Sequence, residues 1–148
     1  MPVNPELLGR AFPPTAPYLV GREKVREFAR AVFAEDAQHH DPEAARALGY
    51  GDVVAPPTFA MVIQDMTLQQ LLAEPDSGIA LERTIHAQQS FRYTRPIVAG
   101  DELTGQLTVT GLRAMGQGAM VTSEAEITDA DGAHVVTATS VLLIGGEE

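Results

Sequence analysis

Val53-Val54-Ala55-Pro56-Pro57-Thr58-Phe59 is reached from Asp36-Ala37-Gln38-His39-His40-Asp41-Pro42 through Leu48-Gly49-Tyr50. It opens the most apolar helix candidate of the chain. Pro57 to Ala73 contains good helix formers and no glycine. Phe59, Val62, Ile63 and Met66 fall at the i, i+3, i+4, i+7 spacing of one buried face. Ala60 and Met61 widen the apolar surface, so the expectation is a helix covered on most sides. A central helix wrapped by a sheet follows.

Outward from this helix the two halves read differently. Before it, Ala11 to Val20 is proline-rich, with a short extended piece at Tyr18-Leu19-Val20. Arg22 to Ala34 predicts a helix with Val25, Phe28, Ala29 and Val32 on one stripe. Asp41-Pro42-Glu43 reads as a helix start, and that short helix stops at Gly49. After Glu74-Pro75-Asp76-Ser77-Gly78, a breaker cluster, the pattern turns to strands: Arg83 to Tyr93, Glu102 to Arg113, Ala119 to Thr128 and Ala133 to Ile144. In the third of these, Met120, Thr122, Glu124, Glu126 and Thr128 alternate with Val121, Ser123, Ala125 and Ile127. Turns at Ala114 to Gly118 and Asp129 to Gly132 predict an antiparallel meander. The fold class is α+β, one domain over residues 1–148, with an antiparallel sheet curled around one long helix. Beyond Gly145 to Glu148 there is no low-complexity tail.

Composition narrows the chemistry. A chain of 148 residues suits one domain that buries about 70% of its unfolded surface. It lacks cysteine, which removes disulfides, thiolate nucleophiles and cysteine metal sites. A net charge of −10 argues against nucleic acid as a general partner. No apolar run reaches the ~18 residues of a membrane span, and Met1-Pro2-Val3-Asn4-Pro5 lacks the pattern of a secretory leader, so a cytoplasmic location is expected. Among the few cations, Arg22, Arg26 and Arg30 at i, i+4, i+8 form a helical ridge. Two readings fit it: a solvated face interleaved with Glu23 and Glu27, or a dock for a phosphate or an acidic carrier protein.

Phe91-Arg92-Tyr93-Thr94-Arg95-Pro96 through Asp101, together with the block from Leu48 to Phe59, resembles the hot dog fold of the MaoC-like (R)-specific hydratase and dehydratase superfamily. More narrowly, the chain is similar to the N-terminal-half family of MaoC-like dehydratases. That family includes the small-subunit type that pairs with a catalytic partner in type II fatty acid synthesis. The likeness covers nearly the whole chain. It implies an acyl thioester of coenzyme A or acyl carrier protein as ligand, a MaoC-type partner subunit or a second copy as partner, and no cofactor or metal.

Catalytic relatives carry Gly-Asp-x-Asn-Pro-x-His before the central helix. Dehydration of a 3-hydroxyacyl thioester needs a base for the α-proton, an acid for the departing hydroxyl and donors for the enolate oxygen. A helix N-terminus supplies such donors. In this chain the family histidine falls on His39, while the aspartate falls on Ala34, the asparagine on Asp36 and the proline on Ala37. Asp36, three residues before His39, is the acid available to orient it. Where catalytic relatives have His-Gly, this chain has Pro56-Pro57, and Pro57 has no N–H to give. The resemblance places substrate contact at Pro57, Thr58 and Phe59, with Thr58 the nearest substitute donor. His86 reads either as a strand hydrogen-bonding residue or as a lining residue of an acyl tunnel. Ser123 and Ser140 lie in strands without a nucleophile elbow.

Three functions follow as alternatives. One is an acyl-binding subunit of a (3R)-hydroxyacyl-thioester dehydratase whose partner carries the intact motif. The second is a self-sufficient homodimeric hydratase using His39 and Asp36. The third is a thioester-binding protein without a reaction of its own.

Overall fold

The computed structural model describes residues 2 to 146; Met1 and the last two residues of the Gly145 to Glu148 tail lie outside them. In chain order the elements are β1 (Tyr18–Leu19), α1 (Arg22–Ala31), α2 (Pro42–Ala47), α3 (Met61–Ala73), β2 (Thr84–Tyr93), β3 (Glu102–Met115), β4 (Gly118–Thr128) and β5 (His134–Ile144). The strands form one antiparallel sheet in the order β1-β3-β4-β5-β2, curled with the long helix against it.

The expected meander holds only for β3, β4 and β5. β2 pairs with β5, not with the strand that follows it, with Thr84 opposite Ile144 and Tyr93 opposite Val136. The cause is the connection from Thr94 to Asp101, which is too long for a tight hairpin and is folded around its own ion pair. Arg95 reaches Asp101 through both terminal nitrogens, at 2.8 and 3.1 Å, and Asp101 accepts the Val98 N–H at 2.9 Å. This loop carries the chain from one side of the sheet to the other.

The central helix is also reached differently. With Pro56 and Pro57 unable to donate, the chain first makes a 3₁₀ turn over Pro57–Ala60 and only then becomes α-helical at Met61. Its buried face is Ile63, Gln64, Thr67, Leu68 and Leu71, rotated from the predicted stripe, and Asp65 and Gln69 are exposed. Val62 and Met66 lie at its border. The apolar pattern misled because two positions of the buried face are polar. Gln64 is fully buried and donates to the Ala138 carbonyl at 3.1 Å, while the Thr67 hydroxyl donates back to the Gln64 carbonyl at 2.6 Å. The helix lies close to β3 because position 105 is glycine: a Cβ there would come within 2.9 Å of Thr67 Cγ2.

Helix α1 ends earlier than predicted. Phe33 adopts φ 59°, and the Ala34 N–H returns to the Ala29 carbonyl at 2.8 Å, closing the helix with a left-handed residue.

The core divides into two clusters. One gathers Phe59, Ile63, Ile97, Leu103 and Val136 around the start of the central helix. The other holds Leu7, Phe12, Leu68, Leu71 and Leu107 beneath the N-terminal arm. That arm runs along the outer edge of β3: Gly9 N–H donates to Val109, Phe12 N–H to Leu107 and Thr15 N–H to Gly105, each at 2.8 Å. No helix of the described residues is long and apolar enough to cross a membrane.

Candidate functional site

Three short backbone segments build the site. Val53 to Ala55 lies beside Ile97 to Ala99, joined by Ala55 N–H to the Ile97 carbonyl at 2.8 Å and Ala99 N–H to the Val53 carbonyl at 3.0 Å. Val54 therefore turns both of its own backbone groups the other way. Its N–H donates to the Gln38 carbonyl at 2.9 Å, and its carbonyl accepts from the His39 ring at Nδ1, 2.7 Å away. A carbonyl oxygen only accepts, so Nδ1 carries the hydrogen and the neutral ring keeps its lone pair on Nε2.

His39 lines a cavity of about 410 Å³ together with Gln38, Tyr50, Val54, Ala55, Pro57, Tyr93, Thr94, Arg95, Pro96 and Ile97. Most of this wall is apolar, and no carboxylate belongs to it. The Tyr93 hydroxyl donates to the Pro57 carbonyl at the start of the central helix. Burial pushes the Tyr93 phenol up to about 12. Arg95 bonds Asp101 and also Asp129 at 3.2 Å, which raises the guanidinium further above its ordinary range, chiefly through the Asp101 hydrogen bonds. Asp129 is held below the usual carboxylate range, first by the Ala133 N–H and then by Arg95. The pocket can hold an apolar chain, and the unprotonated Nε2 of His39 is a hydrogen-bond acceptor at its wall.

The predicted site residues distribute unevenly. His39 and Pro57 line the cavity. Asp36 does not: it is exposed before the 3₁₀ turn Ala37–His39, and only its backbone carbonyl meets His39 N–H, at 3.1 Å. The Val54 carbonyl, rather than the Asp36 carboxylate, holds the ring. Phe59 is a core residue, fully buried with its ring 5.3 Å from that of Phe28 in an edge-on contact. Thr58 is exposed and outside the wall.

His86 lies on exposed β2, away from the cavity, and bonds the Gln89 side-chain oxygen at 2.9 Å. Gln89 in turn donates to buried Gln64. The adjacent histidines point to different carbonyls, His40 Nε2 bonding Ala34 at 2.8 Å. Ser123 and Ser140 bond one another at 2.9 Å inside the core.

The arginine ridge forms on α1 but is largely spent. Arg22 makes a two-nitrogen pair with Asp52 at 2.9 Å, and Arg26 bonds Glu23 and the His40 carbonyl. Among the described residues only Arg30 of the three keeps no acidic partner.

Tyr50, Tyr93, Thr94, Arg95 and Ile97 were not legible as site residues. Their signal was membership of the Leu48 to Phe59 block and the Phe91 to Asp101 stretch, which pointed to the fold and not to a cavity wall.

Residues 6–138 match the family model described as FAS1-like, dehydratase domain region. A UPF0336 protein of Clavibacter michiganensis subsp. michiganensis is 63% identical over 148 residues, covering 100% of this chain and 99% of the relative. Two solved structures share the fold with a TM-score of 0.83. The C-terminally truncated HadBC (3R-hydroxyacyl-ACP dehydratase) complex from Mycobacterium tuberculosis contains a chain 29% identical, with 93% of this chain and 96% of that one covered. A MaoC-like dehydratase is 35% identical, and the match covers 94% of this chain and 42% of that one.

Proposed function

From the premise that the chain belongs to the FAS1-like dehydratase domain region family, with the hot dog fold of MaoC-like dehydratases, we propose that it is the acyl-binding subunit of a (3R)-hydroxyacyl-thioester dehydratase. One observation carries this reading. The cavity contains a histidine fixed as an acceptor but no carboxylate, and the helix start beside it carries Pro57 instead of an N–H. Removing water needs an acid, a base and an oxyanion donor, and loss of one such donor typically costs ~10²–10³ in rate. The site thus has the shape of an acyl pocket with an incomplete catalytic set. A MaoC-type partner with the intact aspartate and histidine completes it.

The place for that partner is the outer edge of β2. Among the described residues no strand lies along it, and Ile85 is 65% exposed there. An uncovered strand edge with apolar side chains favours pairing with another chain. The ligand is an acyl chain on coenzyme A or acyl carrier protein, in fatty acid or polyketide synthesis.

The test is hydration of a trans-2-enoyl thioester, followed by loss of the enoyl absorbance. The chain alone is expected to be inactive, and the chain with a MaoC-type partner active. Activity of the chain alone that disappears in His39→Ala would instead establish the homodimeric hydratase.

A further inference from the structure

The tautomer of His39 depends on the position of the Val54 carbonyl, and that position is set at a distance. Val54 is the middle of three segments: its neighbours Val53 and Ala55 hydrogen-bond the loop at Ala99 and Ile97, while Val54 itself bonds Gln38 and His39. Backbone bonds fasten the loop at its far end, Gly100 N–H to the Val20 carbonyl and Val20 N–H to the Asp101 carbonyl, each at 2.8 Å, but the turn itself has no regular secondary structure. Its shape is held by Arg95, whose guanidinium joins three groups: the Pro96 carbonyl at 3.0 Å, the Asp101 carboxylate through two bonds, and the Asp129 carboxylate on the β4–β5 turn. Asp101 closes the ring by accepting the Val98 N–H, and Asp101 N–H donates to the Val98 carbonyl at 3.1 Å.

We propose that Arg95 is a positioning residue: by locking the 94–101 loop it holds the Val54 carbonyl on His39 Nδ1, so that the pocket presents the Nε2 lone pair as an acceptor. An acceptor at this point takes a ligand that carries a hydroxyl donor. It therefore selects a 3-hydroxyacyl thioester over the 2-enoyl thioester of the same length, which has no donor there. This selection rests on the dehydratase reading given above; the role of Arg95 does not. Because both carboxylates already neutralise its charge, Arg95 acts through the loop and not by binding the ligand's phosphate.

The test reads the tautomer directly, from the ¹⁵N shifts of the His39 ring at about pH 8.5, above the ordinary imidazole range. The full-length protein is expected to show hydrogen on Nδ1 of His39. His40, whose Nε2 faces the Ala34 carbonyl, is expected to show the opposite form and serves as the fold control. In Arg95→Met the separation between the two His39 ring nitrogens should collapse as the forms mix, with His40 unchanged.

Arg95→Lys, which keeps the charge but reaches fewer acceptors, should lie between and covers the case in which the Met variant does not fold. Hydrogen on Nε2 in the unaltered protein, or an Nδ1–H form retained in the lysine variant and in any folded Met variant, overturns the proposal.

Titration with (R)-3-hydroxybutyryl and crotonyl pantetheine then separates the two claims. A His39 Nε2 shift with the hydroxyl compound, and a preference of roughly three- to tenfold, the worth of one hydrogen bond, sustains the acceptor role. Equal shifts with both overturn it. No shift with either, with the tautomer as expected, sustains Arg95 and removes the dehydratase reading.

Discussion

The two edges of the sheet are treated in opposite ways by the same chain. Along β3 the N-terminal arm is laid down as an irregular extra strand, with Leu7 fully buried and Phe12 5% exposed beneath it. Along the outer edge of β2 no strand of the described residues pairs, and Ile85 and Leu81, the latter in the turn just before the strand, are 65% and 70% exposed. A domain that can shield one edge and leaves the other open invites association at the open one. The contrast separates two roles: the arm at the closed edge packs the single chain, and the open edge is where the proposed partner would pair.

Changes at each edge should therefore have different readouts. The largest effect is expected from Phe12→Ala, which opens a cavity under the arm and costs about 3–5 kcal/mol in denaturant unfolding without altering association. Next comes Ile85→Lys. It should weaken pairing with a partner or second copy by at least about tenfold, near 1.4 kcal/mol, in analytical ultracentrifugation, while the melting temperature of the single chain stays nearly constant. An Ile85→Lys variant that melts much earlier but still associates would break the comparison.

A smaller loss is expected from Gly78→Ala. Gly78 has φ +72°, and a Cβ there would meet the Pro2 carbonyl oxygen at 2.0 Å, so the arm must shift. The backbone conformation alone costs roughly 1–2 kcal/mol, and proteolysis near the N-terminus should accelerate.

The smallest effects are those of pH, and they have opposite signs at the two edges. At the closed edge Arg10 holds Asp76 at 2.9 Å and lowers its pKa, so the pair contributes above the ordinary carboxylate range and its contribution is lost as pH falls. Tyr93, which ends the open-edge strand, is raised to about 12 by burial. An unfolded phenol ionises near about 10, so stability is complete below that value and declines as pH rises toward about 12. A phenol titrating near 12 that Tyr93→Phe removes would confirm the assignment.

Much of the closed, regular part of this structure was legible in the sequence. The strands of the second half lie where alternation and turn residues place them, because each side chain's face is decided locally. The pairing of β2 with β5 was not, since strand order depends on where the 94–101 loop travels, and that is a tertiary choice. The central helix was found but its buried face was misread, because Gln64 and Thr67 satisfy their polar groups within the core and leave no apolar signal.

At the site, position by position resemblance singled out His39 for catalysis and Pro57 for substrate contact, and both line the cavity. It had no means of finding that the Val54 carbonyl replaces Asp36 as the group holding the imidazole. Phe59 was assigned to substrate by its place at the helix start, yet its partner is Phe28 from α1. Backbone groups write no pattern into a sequence, and contacts between distant segments write little more.

In the proposed assembly this chain supplies an acyl pocket to a dehydratase completed at its open edge. The most direct measurement is enoyl-thioester hydration by the purified chain, by the chain with a MaoC-type partner, and by the Ile85→Lys chain with the same partner. No turnover alone, turnover with the partner, and loss of that turnover in the variant are expected of this assembly. Turnover by the chain alone that His39→Ala abolishes would contradict it.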